Sequence, residues 1–400
     1  MEGTEVKAVV QDIYFNTISD PARSWTAPTR EPLAFHKRLP GYAPTPLVSL
    51  PHLAEHLGVA NVWIKDESNR LGLPAFKILG ASWATYRALA DRFGSDVENW
   101  SRLDELRDRI NRQHPLALVC ATDGNHGRAV ARMGALLGIA TRVFMPRGTS
   151  PARIVAIESE GAEVTVVDGT YDDAVSHAAE EATQGNGRHA HRFLVQDTAL
   201  SNDETIPRWI VEGYSTLFWE VDDALRAMGE PDPTLIIVQI GVGALADSVV
   251  RHYRSKKMAH TPRIVGVEPL RSACALASAL AGRLVTIPGP HDSIMAGLNC
   301  GTPSQISWPT LMNGVDCLLA ISDDRAREGM RVLADAGIVS GETGAAGIGG
   351  LLELLSGDRR TDARRRLGIN HSTRVLIFST EGATDPDSYE RIVGHPPRAQ

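Results

Sequence analysis

A lysine lies between a predicted strand and a predicted helix in the first quarter of the chain. Lys77 is flanked by Phe76 and Ile78, follows an alternating stretch over residues 62–67 and precedes residues with helical apolar spacing. Desolvation and the positive end of a helix dipole both favour the neutral amine of such a lysine, which is the form that Schiff-base chemistry needs. Taken alone, it is more simply a helix lysine whose ammonium reaches water.

A glycine-rich segment directly after an apolar stretch, residues 235–240, predicts an anion-binding loop. It consists of Gly241, Val242, Gly243 and Ala244. Glycines let successive backbone N–H groups converge on an anion, and the start of the next helix adds positive potential. We therefore predict a phosphate site, with a plain glycine turn as the simplest alternative. The segment also satisfies the dinucleotide fingerprint, with Glu268 where a ribose-binding acid would stand, so a nicotinamide cofactor is a second interpretation.

Small and polar residues follow a predicted buried strand over residues 116–122. Asn125 can donate to a ring hydroxyl or a carboxylate, and Thr122 and Gly127 can offer backbone N–H groups at a helix start. Asp123 adds an acid to the same turn. His126 is most simply a structural hydrogen-bonding residue, with catalysis as the alternative.

A second acid follows a later strand of the middle region. Asp197 directly follows the predicted strand over residues 193–196. A helix N-cap is the commonest role of an aspartate at such a position, and a second active-site acid is the other interpretation. The sequence leaves both open.

Strands that alternate with helices must position these groups. The predicted strands cover residues 116–122, 141–146, 163–167 and 193–196 in one set, and residues 235–240, 263–267 and 375–378 in another, with a long helix over residues 207–228 between the sets. This alternation predicts an α/β fold with parallel sheets covered by helices on both faces, and ligands at the carboxyl ends of the strands. An irregular stretch over residues 285–309 is a candidate lid over the substrate.

Composition limits the classes of protein that the chain can belong to. Its 400 residues suggest about two domains, and its net charge of −7 argues against a dedicated nucleic-acid surface. No apolar run is long enough to span a membrane, and the acidic N-terminus lacks the apolar core of a secretory signal. Four scattered cysteines form neither a zinc pattern nor a disulfide framework, which favours a cytoplasmic protein without a metal site. Whether Cys274 and Cys300 pair is left open.

Four of these segments together resemble a known family. The lysine, the aspartate turn, the glycine loop and Ser379-Thr380-Glu381-Gly382 come in the order and at the distances found in fold-type II pyridoxal-phosphate enzymes, such as the serine/threonine dehydratases. Two departures narrow the resemblance: Ala75 and Leu79 replace residues of the dehydratase pattern S-F-K-x-R-G, and Asp123 stands where those enzymes carry serine. With the segments over residues 195–199, 295–298, 340–344 and 379–386, the chain is most similar to the diaminopropionate ammonia-lyases.

The resemblance implies a fold of two lobes with the active site between them. Residues 1–87 and 205–400 would form a large cofactor-binding domain, and residues 88–204 a small inserted α/β domain. Pyridoxal 5′-phosphate would form a Schiff base with Lys77 and place its phosphate on the loop of Gly241, Val242, Gly243 and Ala244. Asn125 would bond the 3′ oxygen of the ring, and Thr380 or Ser379 would lie beside the pyridine nitrogen. Phe76 and Glu268 complete the expected cofactor-binding set.

The implied reaction is α,β-elimination of D- and L-2,3-diaminopropionate to pyruvate and two ammonia. Because opposite α-protons require bases on opposite faces of the ring, we expect Lys77 to act on the L isomer and Asp123 on the D isomer. Asp197 is the third expected catalytic residue, and Thr122, Asp123, His126 and Asp197 are expected to contact the substrate. Which residue protonates the leaving amine is left open.

Three alternatives accompany this interpretation. A serine/threonine dehydratase-like lyase would share the fold, an NAD(P)-dependent dehydrogenase would use the Gly241 loop, and a silent phosphate-ligand binding protein would turn over no amino acid. The partner expected in each case is a small molecule, with neither nucleic acid nor membrane. Residues 1–45 are expected to form an irregular arm that wraps the body or a partner subunit, which favours a homodimer.

Overall fold

The computed structural model describes residues 11–20, 23–113, 115–183, 191–198, 204–256, 260–356 and 359–398, which form two sheets surrounded by helices. The strands are β1 Ile13–Phe15, β2 Leu47–Ser49, β3 Asn61–Asp66, β4 Leu116–Ala121, β5 Ala140–Pro146, β6 Glu163–Val167, β7 His191–Leu194, β8 Leu235–Gln239, β9 Arg263–Pro269, β10 Cys317–Ile321 and β11 Arg374–Ser379. The larger sheet has the order β1-β10-β9-β8-β11-β3-β2 and the smaller one the order β6-β5-β4-β7.

Helices connect and cover these strands. They are α1 Glu31–His36, α2 Pro51–Leu57, α3 Ile78–Phe93, α4 Leu103–Ile110, α5 Asn125–Leu137, α6 Pro151–Glu158, α7 Tyr171–Thr183, α8 Thr205–Gly213, α9 Ser215–Met228, α10 Ala244–Ser255, α11 Cys274–Ala281, α12 Trp308–Gly314, α13 Asp323–Asp335, α14 Ala346–Leu355, α15 Arg359–Leu367 and α16 Pro386–Val393, with single 3₁₀ turns at Gly94–Asp96 and Ala296–Leu298. No helix of the described residues is long and apolar enough to span a membrane.

The inner strands of both sheets pair in parallel, which confirms the predicted α/β fold. The pairs β4–β5, β4–β7 and β5–β6 build the smaller sheet, and β3, β8, β9, β10 and β11 form the parallel part of the larger one. Every residue of β4 and of β8 is buried, as expected of strands covered on both faces. The carboxyl ends of the inner strands therefore lie at one edge of each sheet.

The expected irregular arm is partly wrong. Residues 13–15 form the edge strand β1, which pairs antiparallel with β10 in the register Ile13 opposite Leu319, and α1 follows at Glu31–His36. Two other strands, β2 and β10, were also absent from the predicted set. Strands this short show too few alternating positions to be distinguished from irregular chain by their pattern.

The predicted long helix over residues 207–228 is two helices that join at Tyr214. The end of α8 packs closely against α3, because a Cβ atom on Gly213 would lie 2.5 Å from the carbonyl oxygen of Leu79. Tyr214 follows, and its ring edge lies against Gly80, whose Cβ atom would come within 2.6 Å of the tyrosine. This close packing places a buried tyrosine beside the start of α3.

Cys274 and Cys300 are both buried free thiols, so they do not form a disulfide. Cys274 Sγ lies 3.8 Å from the carbonyl oxygen of Gly241, at the start of the glycine loop. Cys120 and Cys317 are also buried and free.

Candidate active site

One cavity lies where the carboxyl ends of strands from the two sheets converge. The smaller sheet contributes the turn after β4 and the segment after β7, and the larger sheet contributes the segments after β3, β8 and β11. The cavity is lined by Phe76, Lys77, Thr122, Asp123, Asn125, His126, Tyr171, Asp197, Gln239, Gly241, Val242, Gly243, Ala244, Leu245, Gly297, Leu298, Asn299, Cys300, Thr343, Thr380 and Glu381. Most residues that the sequence predicts for the site are therefore brought together.

Lys77 immediately precedes α3, as predicted, and its side chain enters the cavity. Its Nζ donates a hydrogen bond of 2.8 Å to Oδ2 of Asp197. The expectation that the amine loses its proton is wrong for this arrangement. Burial is the largest single influence and lowers the pKa of Lys77, but Asp197, Tyr214 and Asp123 together outweigh burial and raise the pKa above its ordinary value.

Asp197 is the partner that holds this charge. Its side chain is buried, and burial alone would raise its pKa. The Lys77 ammonium instead lowers the pKa of Asp197 to about 2. Within the described ranges its Oδ1 has no hydrogen-bond partner, so one oxygen remains available on the carboxylate. Asp197 therefore lies in the cavity wall paired with the lysine and is not the N-cap of α8, which begins only at Thr205; its role as an active-site acid stays a prediction.

Thr122 shapes the turn that carries Asp123. Its Oγ1 accepts hydrogen bonds from the N–H groups of Gly124 and Gly127, at 2.9 and 3.0 Å. The N–H of Thr122 donates to the carbonyl oxygen of Phe144 at 2.9 Å. The expectation that Thr122 and Gly127 offer free N–H groups to a ligand is therefore wrong, because both groups are used to hold the turn.

Asp123 lies half-buried in the cavity wall. Burial raises the pKa of its carboxyl group, while the cations of Arg153 and Lys77 oppose that change without cancelling it. The two aspartates therefore differ: Asp197 is held as a carboxylate by a direct ion pair, whereas Asp123 takes up a proton more readily than an ordinary aspartate.

Asn125 and His126 open helix α5 and both line the cavity. The Asn125 amide donates to a carboxylate oxygen of Glu381. His126 Nε2 lies 2.7 Å from the carbonyl oxygen of Val195, which can only accept, so this nitrogen carries the hydrogen. Burial lowers the pKa of His126, so the ring is neutral, as expected of a structural histidine.

The glycine loop fits a phosphate group. Gly243 has a φ of +104°, a left-handed conformation that favours glycine. A Cβ atom on Gly241 would lie 3.0 Å from the carbonyl oxygen of Gly297, a tighter contact than a side chain normally makes. Within the described part of the chain, the N–H groups of Val242, Gly243 and Ala244 donate to no backbone or side-chain oxygen. These free donors line the cavity at the start of α10, as an anion requires.

Two expected cofactor residues lie outside the cavity. Glu268 is fully buried, and its two carboxylate oxygens accept from the N–H groups of Ala275 and Leu276, both at 2.8 Å. It therefore stabilises the start of α11 and is not available to a ribose or a ring. Ser379 donates to Ser340 at 2.8 Å and does not line the cavity. Thr380, the alternative to Ser379, does line the cavity.

Sequence reasoning missed several cavity residues, among them Tyr171, Gln239, Asn299, Cys300 and Thr343. Gln239 could have been noticed, since a polar residue ends an apolar strand directly before the glycine loop. Cys300 and Asn299 belong to the stretch over residues 285–309, whose role as a lid stays a prediction. Tyr214 was also missed: it is fully buried next to Phe76 and its hydroxyl lies beside Lys77, a position that only helix packing creates.

Comparison with known proteins gives consistent matches. The family model described as pyridoxal-phosphate dependent enzyme matches residues 38–372. Diaminopropionate ammonia-lyase of Salmonella typhimurium is 42% identical over 375 residues, which cover 91% of each chain. The Escherichia coli diaminopropionate ammonia-lyase in complex with D-serine superposes with a TM-score of 0.87 at 35% identity over 96% of both chains. The same enzyme in complex with an aminoacrylate-PLP azomethine reaction intermediate gives a TM-score of 0.85 at 34% identity, again over 96% of both chains.

These matches agree with the geometry of the cavity. The glycine loop offers the phosphate site, Lys77 stands beside it, and Glu268 is too far inside the protein to bind a ribose, so the dehydrogenase interpretation is wrong. The cofactor is pyridoxal phosphate. The chain belongs to the diaminopropionate ammonia-lyase family of pyridoxal-phosphate dependent enzymes.

Proposed function

We propose that the protein eliminates both amino groups of D- and L-2,3-diaminopropionate, consuming one water and releasing pyruvate and two ammonia. The observation that carries the proposal is the pair of acids in one cavity with the lysine: Asp197, bonded to Lys77, and Asp123, whose pKa is raised. A substrate with two amino groups needs a negative partner for its β-ammonium and an acid for its leaving amine. A serine in place of Asp123 would supply neither.

The residues that would hold pyridoxal phosphate are Lys77, the loop from Gly241 to Ala244, Asn125 and Thr380. The loop N–H groups would bind the phosphate, and Thr380 would be the residue that meets the ring nitrogen. Asn125 donates one N–H to Glu381 and retains a second for the 3′ oxygen of the ring. When bound, the cofactor withdraws electrons from the substrate Cα and so acidifies the α-proton.

The chain's own groups then move the protons. The Lys77 amine takes the α-proton of the L isomer, and Asp197 at 2.8 Å stabilises the ammonium that results. Asp123 takes the α-proton of the D isomer from the other face. On the L isomer, Asp123 is the group that we assign to protonate the leaving β-amine, because burial raises the pKa of its carboxyl group above the ordinary value.

The remaining expectations are part of the same proposal. We expect four residues to contact the substrate: Thr122, Asp123, His126 and Asp197.

The division of the chain into a large domain, residues 1–87 and 205–400, and a small domain, residues 88–204, stays a prediction. The first boundary between them falls inside α3, which spans Ile78–Phe93. We also propose that the protein acts in the cytoplasm as a homodimer, and size-exclusion chromatography with light scattering tests the dimer.

The test is pyruvate release from D- and L-diaminopropionate, D- and L-serine and L-threonine by the purified holoenzyme. We expect the diaminopropionates to be the best substrates and 2-oxobutyrate release from threonine to be slow. Better turnover of serine and threonine would instead indicate a dehydratase. As a control, borohydride reduction removes the visible absorbance of the lysine-bound cofactor and shows whether pyruvate release depends on that cofactor. Absence of pyruvate from both diaminopropionates would refute the proposal.

A further inference from the structure

Gln239 and Thr380 meet because their strands are neighbours. Gln239 is the last residue of β8, and Thr380 directly follows β11. These strands pair in parallel with Ile237 opposite Ile377, so both chains leave the sheet at the same level. Both side chains are buried, and both line the cavity.

The Gln239 amide contacts several oxygens with one atom. Its Nε2 lies 3.1 Å from the carbonyl oxygen of Thr343, 3.3 Å from that of Gly344 and 3.0 Å from that of Phe378. A fourth contact, of 3.1 Å, joins Nε2 to Oγ1 of Thr380. Carbonyl oxygens only accept hydrogen bonds, so the group that faces three of them must be the NH₂ group and not the amide oxygen.

This orientation restricts the Thr380 hydroxyl. An amide nitrogen has no acceptor capacity, so Thr380 cannot donate to Gln239, and its oxygen faces a donor instead. In the described part of the chain the hydroxyl donates to no other acceptor, although it lines the cavity. The hydrogen of Thr380 is therefore free to point into the cavity, toward whatever acceptor is bound there.

We infer that Gln239 is a positioning residue that makes Thr380 a hydrogen-bond donor to the ring nitrogen of the cofactor and thereby keeps that nitrogen unprotonated. This inference deepens the proposed function, because it rests on the assignment of Thr380 to the ring nitrogen. An unprotonated nitrogen accepts the hydroxyl hydrogen. A protonated nitrogen would turn that hydrogen away and leave a buried donor without a partner, which is unfavourable.

The test compares single and double variants of the holoenzyme. Gln239→Met removes the amide at similar length, and Thr380→Val removes the hydroxyl at similar shape. The readout is the ¹⁵N chemical shift of cofactor labelled at the ring nitrogen, followed against pH, together with the affinity of the apoenzyme for cofactor. In the wild type we expect a shift typical of an unprotonated, hydrogen-bonded nitrogen.

Comparison of the Gln239 variant in the wild-type and Thr380→Val backgrounds distinguishes a residue that orients Thr380 from one that only supports the fold. Gln239→Met should raise the proton affinity of the ring nitrogen by about threefold to tenfold, the size of one hydrogen bond. In the Thr380→Val background, where no hydroxyl is left to orient, the same change should have no further effect. An equal effect in both backgrounds, or a protonated nitrogen in the wild type, would overturn the inference.

Two further variants guard the result. If Gln239→Met does not fold, Gln239→Glu replaces it, because glutamate has nearly the same volume as glutamine. A carboxyl group cannot donate to several oxygens at once, so Gln239→Glu should show the same coupling with Thr380→Val. Gln196→Met removes another buried glutamine, which bonds Ala121 and Tyr171 on the side of the smaller sheet. It should cost stability while leaving the ring-nitrogen shift unchanged. Because the shift is read without turnover, failure of the diaminopropionate assay leaves this test intact.

Discussion

The two sheets contribute chemically different groups to the same cavity. From the smaller sheet come Asp123, His126 and Asp197, all titratable groups. The strand ends of β8 and β11 in the larger sheet contribute mainly uncharged hydrogen-bonding groups, namely the glycine loop, Gln239 and Thr380, together with one carboxyl group, that of Glu381, which accepts from Asn125. Lys77, from the segment after β3, reaches across to Asp197. One side of the cavity is thus equipped to move protons and the other to hold a cofactor.

This difference has a physical basis. A carboxylate keeps its charge in a buried site only with a partner, and the pair of Lys77 and Asp197 meets that need. The pKa of a proton-transfer group therefore depends on its surroundings, as the opposite pKa shifts of Asp123 and Asp197 illustrate. Backbone N–H groups and amides need no such tuning, and a loop rigidly attached to a buried strand positions them well.

The largest expected effect comes from removing the residue that joins the two sides. Lys77→Ala should lower kcat/KM for both isomers of diaminopropionate by about 10⁴-fold, because a general base and the covalent attachment of the cofactor are both lost. Pyruvate release measures the activity, and the visible spectrum of the reconstituted protein measures attachment. Lys37→Ala, which changes an exposed lysine, is the control. Substantial activity in Lys77→Ala would contradict the role of the lysine.

Asp123→Asn tests which residue removes the α-proton on each face of the cofactor ring. We expect kcat for the D isomer to fall by about 10²- to 10³-fold, the contribution of a general base. Activity on the L isomer should fall less, since Lys77 still takes the α-proton and only protonation of the leaving amine is impaired. Parallel assays with both isomers measure the ratio, with the L isomer as internal reference. Full activity on D-diaminopropionate would show that another group is the base on that face.

Gly243→Ala tests the cofactor-holding side alone. The added methyl group would require a non-glycine residue at a φ of +104° and would lie 3.0 Å from Leu311. We expect cofactor affinity to fall by about tenfold through displacement of the loop N–H groups. Gly229→Ala is the matched control, because this glycine has a φ of +70° with no neighbouring atom within 4 Å. Both variants should lose stability, but a similar loss of cofactor affinity in Gly229→Ala would argue against a specific role for the loop.

The smallest effect concerns stability, at Glu268, a buried carboxyl residue in β9 of the larger sheet. Burial raises the pKa of Glu268 from 4.5 to about 8 in the folded protein. The folded state therefore binds more protons than the unfolded state between these two values, and the free energy of unfolding decreases as the pH rises through that window.

Glu268→Gln should remove this pH dependence, which we expect to be on the order of 1 kcal/mol or more. Urea unfolding at a series of pH values measures it. A slope that is unchanged in the variant would show that other groups are responsible.

The parts of the molecule that could be predicted are those with a local pattern. Apolar runs predicted β4, β8 and the other inner strands except β10, and the residues after them predicted most of the cavity lining. The edge strands β1 and β2 and the buried strand β10 were missed, since three to five residues carry little periodicity. Glu268 was misassigned because its spacing from the glycine loop matched a fingerprint, whereas the start of α11 uses its carboxylate.

The sequence by itself determined the family, the cofactor and the identity of the lysine, the two aspartates and the glycine loop, because each belongs to a short segment with its own chemical pattern. Only the tertiary structure decided the direction of the Lys77 pKa shift, since Asp197 stands 120 positions away in the chain and, with Tyr214 and Asp123, outweighs burial. It likewise decided which of Ser379 and Thr380 enters the cavity, and that Gln239 directs the latter. Contacts of this kind depend on how strands and helices pack, and no local pattern records them.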